Sequence, residues 1–261
     1  MKIAHGIATP FSLAVIFLIT GGCVTTKTPH LTRGNVEADA AADNVALGMA
    51  YMEQNNLQRA KEKLDRAMKE NPSNPNVHSV YALFYERIND QKKAESEFHE
   101  AIRLAPNDPG QVNFYGVYLC RQHRVDEGVT KLMQVARNPL YQTPEAAYTN
   151  VGQCLLTVHR DDEAESAFKR ALAVRPDFAE ATLQLGNLEL AHGRALECRQ
   201  RVEKYLGQYN PTPELLFLAL RASRTLDDAR GVAQYSKILR TDFPNSDQAR
   251  SLSAAPQPNP G

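Results

Sequence analysis

Seven histidines, four cysteines and two short acidic runs are the side chains of this 261-residue chain that could carry chemistry. His123, His159 and His192 recur 36 and 33 residues apart, close to the period of the repeat set out below. Side chains that recur once per stacked unit lie too far apart to share a metal ion at about 2 Å each. They are expected in the turns between helices. His78 and His99 have no ligand partner three or four residues on, and read as surface or packing residues. Asp161-Asp162-Glu163 and Asp227-Asp228 stand where helices would begin, and acids there are favoured by the helix dipole. There is no glycine-rich phosphate loop, no HExxH and no nucleophile elbow. The sequence therefore offers no catalytic residue, no metal ligand set and no cofactor site, and a non-enzymatic role without a small-molecule substrate is expected. Thirty basic side chains balance thirty acidic ones. A nucleic-acid binder would show a basic surplus.

The elements that position these residues follow from a repeat. Gly48, Ala82, Gly116, Gly152, Gly186 and Leu220 are spaced by 34, 34, 36, 34 and 34 residues. Ala60, Ala94, Gly128, Ala164, Cys198 and Val232 each fall twelve residues later. Leu64, Phe98, Leu132, Phe168 and Val202 fall sixteen later. Small residues at the first two places let a pair of helices approach where they cross. The bulky residue fills the gap to the next pair, and prolines such as Pro72 and Pro106 close the second helix. This pattern resembles the tetratricopeptide repeat. It implies an all-α solenoid of six helix-turn-helix repeats over 41–246, each covered only by its neighbours.

The ends read differently. Lys2, the apolar run Phe11–Ile19 and Thr20-Gly21-Gly22-Cys23 resemble a bacterial lipoprotein signal over 1–22. Nine apolar residues are too few to span a bilayer, which needs about 20. The resemblance implies lipidation of Cys23, and Val24 after it implies sorting to the outer membrane, on its periplasmic face. An ordinary cleaved signal is the alternative. Residues 23–40 read as a flexible tether and 247–261 as a loose tail. Three cysteines then remain in an oxidising compartment. Cys120 and Cys154 stand at the twelfth and tenth places of consecutive first helices, where a disulfide can form. Cys198 occupies a small-residue core slot and is expected to stay free. The alternative is that all three are small core residues.

What such a solenoid does is hold another protein, mainly on the face made by its first helices. In repeat one that face brings up Val45, Met49 and Met52, an adaptable apolar docking strip, unless a flanking segment folds over it. Lys and Asn at the fifth and ninth places, which grip a C-terminal carboxylate in chaperone-binding relatives, are absent. Three strings go beyond the generic repeat: Asn113-Phe-Tyr-Gly116 with Leu119-Cys120, Asn138-Pro-Leu-Tyr141 with Thr143-Pro144, and Asn150-Val-Gly152-Gln-Cys154. They resemble the type IV pilus biogenesis/stability lipoproteins, the PilW/PilF pilotin family. The resemblance implies an outer-membrane lipoprotein that binds the pilus secretin and promotes its localisation and multimerisation, supporting twitching motility. A general envelope adaptor that scaffolds peptidoglycan enzymes would share the signal and solenoid without those strings.

Overall fold

The computed structural model describes residues 33–254, and among them every regular element is a helix. Six antiparallel pairs follow one another: α1 (Arg33–Glu53) with α2 (Leu57–Glu70), α3 (Pro75–Arg87) with α4 (Gln91–Leu104), and α5 (Pro109–Arg121) with α6 (Val125–Ala136). Then come α7 (Pro144–Leu156) with α8 (Asp161–Val174), α9 (Ala179–Ala191) with α10 (Ala195–Leu206), and α11 (Pro213–Thr225) with α12 (Ala229–Asp242). A short α13 (Asp247–Ala254) follows. First helices pack on the next first helix and second helices on the following pair, so the all-α solenoid of six tetratricopeptide repeats is the observed fold.

Local chemistry sets the helix ends. Pro75, Pro109, Pro144 and Pro213 open first helices, where a missing N–H matters least. Each turn inside a repeat ends on one residue in the left-handed region: Asn55, Asn89, His123, His159, Gly193 and Asp227. The next backbone N–H closes back five residues, as from Asn56 to the Tyr51 carbonyl at 2.8 Å and from Arg194 to that of Glu189 at 2.8 Å. This is a Schellman closure. His123 and His159 thus sit in the turns, with φ of 61° and 58°. His192 lies one residue earlier, and Gly193 takes the left-handed place in its repeat.

The small residues act by close approach. A Cβ on Gly128 would lie 2.8 Å from the Gly116 carbonyl oxygen and would overlap the Cys120 sulfur. The core runs as a chain of clusters from one repeat into the next, with Leu64, Phe98, Leu132 and Phe168 fully buried at the bulky place.

Both ends of the solenoid are longer than the period indicates. Helix α1 starts at Arg33, inside the stretch 23–40 read as a tether. The tail is not loose from its first residue, because α13 covers the last repeat. Its Ala249 and Leu252 are buried in the cluster of Leu215, Leu216 and Tyr235. The Ser246 hydroxyl caps it, accepting the Ala249 N–H at 3.1 Å. The leader 1–22 and Cys23 lie outside the described residues.

Candidate functional site

A groove of about 360 Å³ crosses the first helices of repeats one to three. Met49, Met52 and Glu53 come from α1, Leu83, Glu86 and Arg87 from α3, and Arg121 from α5. The methionines and Leu83 make an apolar floor. Charged side chains one turn on make the rim. Arg121 forks onto Glu86 through Nε at 2.8 Å and Nη2 at 2.7 Å, tying repeat three to repeat two.

Of the three residues expected in the docking strip, only Met49 is exposed, at 37%. Met52, at 7%, shows one edge to the groove while packing in the core below. Val45 is a correction. It is buried in the same cluster as Val77, Val80 and Tyr81, because the neighbouring helix α3 covers it. Leu83, Glu86, Arg87 and Arg121 were not foreseen, although each holds in its own repeat the place that Met49, Met52 or Glu53 holds in repeat one.

Beside the groove, Cys120 and Cys154 are joined as a disulfide with a Cα–Cα distance of 5.4 Å. It forms one wall of a smaller hollow shared with Val117, Arg121 and Gln153. Cys198 is free and buried, and burial pushes its thiol up to about 11. Burial thus disfavours the thiolate, which is the nucleophilic form.

His78, His99, His192 and Asp228 make structural contacts. His78 is buried between Glu97 (Nδ1 to Oε2, 2.6 Å) and the Pro72 carbonyl (Nε2 to O, 2.8 Å). Both neighbours are acceptors, so the ring satisfies both only as an imidazolium. The Glu97 hydrogen bond raises its pKa, against the effect of burial. His99 meets the Tyr115 hydroxyl at 3.1 Å and His192 meets Asp161 at 2.8 Å. Asp228 caps α12 through the Gly231 N–H at 3.1 Å.

A second regularity lies at the place just before each second helix. Asn56, Asp90 and Asp228 cap there with their side chains, whereas Arg124, Arg160 and Arg194 do not. The arginines instead reach back one repeat, to Glu95 at 2.6 Å, Asp126 at 2.7 Å and Glu165 at 2.6 Å. Arg194 and Lys169 together hold the Glu165 carboxyl down to about 2. This ladder stitches repeats two to five at the starts of the second helices. Among the described residues no three His, Cys, Asp or Glu side chains converge as metal ligands.

Stacked helix pairs with an apolar, charge-rimmed groove and an internal cross-link define a tetratricopeptide-repeat scaffold. The tetratricopeptide-repeat family model matches residues 45–109 and 152–197. The chain is homologous to the type IV pilus assembly protein PilF of Pseudomonas aeruginosa, at 23% identity over 237 residues, 89% of this chain and 94% of that one. Among solved structures it resembles PilW, described as a widely conserved type IV pilus biogenesis factor. That match has a TM-score of 0.62 and 26% identity, covering 82% of this chain and 98% of PilW. The solved Pseudomonas aeruginosa PilF shares the fold, with a TM-score of 0.59 and 21% identity, covering 84% of this chain and 99% of that one.

Proposed function

We propose that this protein acts in type IV pilus biogenesis as a pilotin: an outer-membrane lipoprotein that binds the pilus secretin and promotes its localisation and multimerisation. The observation that carries the pilus role is likeness along nearly the whole chain to PilF and PilW, rather than over a shared pair of repeats. The groove supports a binding rather than a chemical task. Its floor is apolar and open to solvent at Met49, and its rim is charged. Lipidation at Cys23 would hold the solenoid at the inner leaflet of the outer membrane. Tethering raises the effective concentration of captured secretin protomers, which favours ring formation without any new contact.

The test is a clean deletion scored for secretin multimers and twitching, complemented by wild type, Met49→Glu and Cys23→Ser. Deletion should leave secretin as monomers and stop twitching. Met49→Glu should fold normally by circular dichroism yet fail to co-purify secretin, and Cys23→Ser should let rings form in the wrong membrane. Normal rings in the deletion strain would refute the reading and favour a general envelope adaptor.

A further inference from the structure

The rim of the groove carries charges that its own side chains leave unanswered. Glu53, Arg87 and Arg121 occupy the same place in repeats one, two and three, at the ends of α1, α3 and α5. Arg121 is occupied by Glu86. Arg87 has no carboxylate partner among the described residues; its side chain reaches the Asn55 Oδ1 at 3.4 Å, a long and exposed contact. Glu53 is exposed and has no cationic partner among the described residues. Between them lie Met49, Met52 and Leu83.

We propose that the groove receives a linear segment of the partner protein that sets apolar side chains on Met49 and Leu83, a carboxylate on Arg87 and a basic group on Glu53. This rests on the secretin reading and specifies the part of the secretin that is bound. A purely apolar segment would cover both rim charges without replacing their water, which is costly. A lipid phosphate would answer Arg87 and repel Glu53. A segment carrying both signs answers both, and the order of signs fixes its direction across the repeats. Neighbouring helices pack about 8–10 Å apart. An extended chain rises about 3.3 Å per residue, so the acid and the base should stand about three residues apart.

The test uses overlapping fluorescent peptides covering the periplasmic part of the secretin, titrated against the full-length protein in detergent. The tightest peptide should carry an Asp or Glu about three residues from a Lys or Arg, with apolar residues alongside. Arg87→Glu should weaken it about tenfold, the size of a single well-placed charge contact. Reversing the peptide's acid to Lys should restore binding to Arg87→Glu, and Glu53→Lys should be rescued by reversing its base. Circular dichroism checks that both variants stay folded. If Met49→Glu abolishes binding while Arg87→Glu and Glu53→Lys bind as wild type, the charge pattern is wrong and the groove reading stands. If intact secretin fails to bind wild type at all, the secretin reading falls and this one with it.

Discussion

Breaking the Cys120–Cys154 link should loosen the middle of the solenoid by an amount that its position allows to be worked out. The bond joins α5 to α7 across a sequence separation of 34 residues. On the chain-entropy model a loop of that length removes about 12–13 cal/mol/K from the unfolded ensemble, or about 4 kcal/mol at 25 °C. The repeats touch only their neighbours, so this restraint acts on repeats three and four and is not spread over all six. Repeat three carries the two extra residues, and its crossing is made by two glycines, Gly116 and Gly128, which contribute no side-chain contact of their own.

The assay is urea unfolding followed by far-UV circular dichroism, for the oxidised protein, the reduced protein and Cys120→Ala/Cys154→Ala. Reduction should lower the midpoint by roughly 1–2 M, taking an m-value of about 2–3 kcal/mol/M. The double variant should match the reduced protein to within the cavity effect of two buried sulfurs. Cys198→Ala serves as a control for core packing alone. Coincident oxidised and reduced curves, or peptide mapping that finds Cys120 and Cys154 as free thiols, would refute the entropic account.

Two further outcomes follow from the packing. Gly128→Ala gains helix propensity of about 1 kcal/mol but sets a Cβ against the Gly116 carbonyl, a backbone atom that cannot step aside; overpacking should win by about 2 kcal/mol, lowering Tm by roughly 4–8 °C in a thermal scan. His78→Gln should cost about 1–3 kcal/mol at pH 6, where the imidazolium bonds Glu97 and Pro72. The folded pKa of His78 is raised, so its contribution is complete below the ordinary value near 6.5 and fades as pH rises through the folded value. The gap between wild type and His78→Gln in urea midpoint should therefore narrow from pH 6 to pH 9, and a constant gap would rule out the imidazolium.

The repeat was legible because its determinants are local and recur. Small residues such as Gly116 and Gly128, bulky ones such as Leu132 and Phe168, and a proline at each repeat boundary say the same thing across the first five repeats. The Cys120–Cys154 pairing was legible only as one of two readings, because the twelfth and tenth places of adjacent first helices allow a bridge but equally suit two small core residues. What failed to show was whatever happens once. Helix α13 buries Ala249 and Leu252, too short a pattern to stand out against a proline-rich end. Val45 holds a place that faces solvent in the generic repeat, and only the size of Val77 and Tyr81 opposite it decides that it is covered. The arginine ladder was visible in principle, because Arg124, Arg160 and Arg194 recur 36 and 34 residues apart. It was missed because arginine at the start of a helix suggests no cap and no pocket; its partners lie a whole repeat upstream.

The groove could be specialised without disturbing the fold because the two use different places in the same helices. In each repeat the place held by Gly48, Ala82, Gly116, Gly152, Gly186 and Leu220 is committed to the helix crossing, while the next residue turns outward. Those outward residues are Met49, Leu83 and Val117 in repeats one to three, then Gln153, Asn187 and Arg221 in repeats four to six. The change falls at the disulfide. On the polar side the residues find partners along the stack, as Arg221 donates to Asn187 at 2.9 Å and Gln153 to Glu180, in the first turn of α9, at 3.0 Å. On the apolar side Met49 has no such partner to offer and keeps its surface open to solvent. The solenoid's own stacking covers this outward apolar row only in part: Leu83 and Val117 lean on the core clusters, and Met49 stays exposed. The surface left open is buried only when something else covers it, which on the proposed reading puts the partner on repeats one to three.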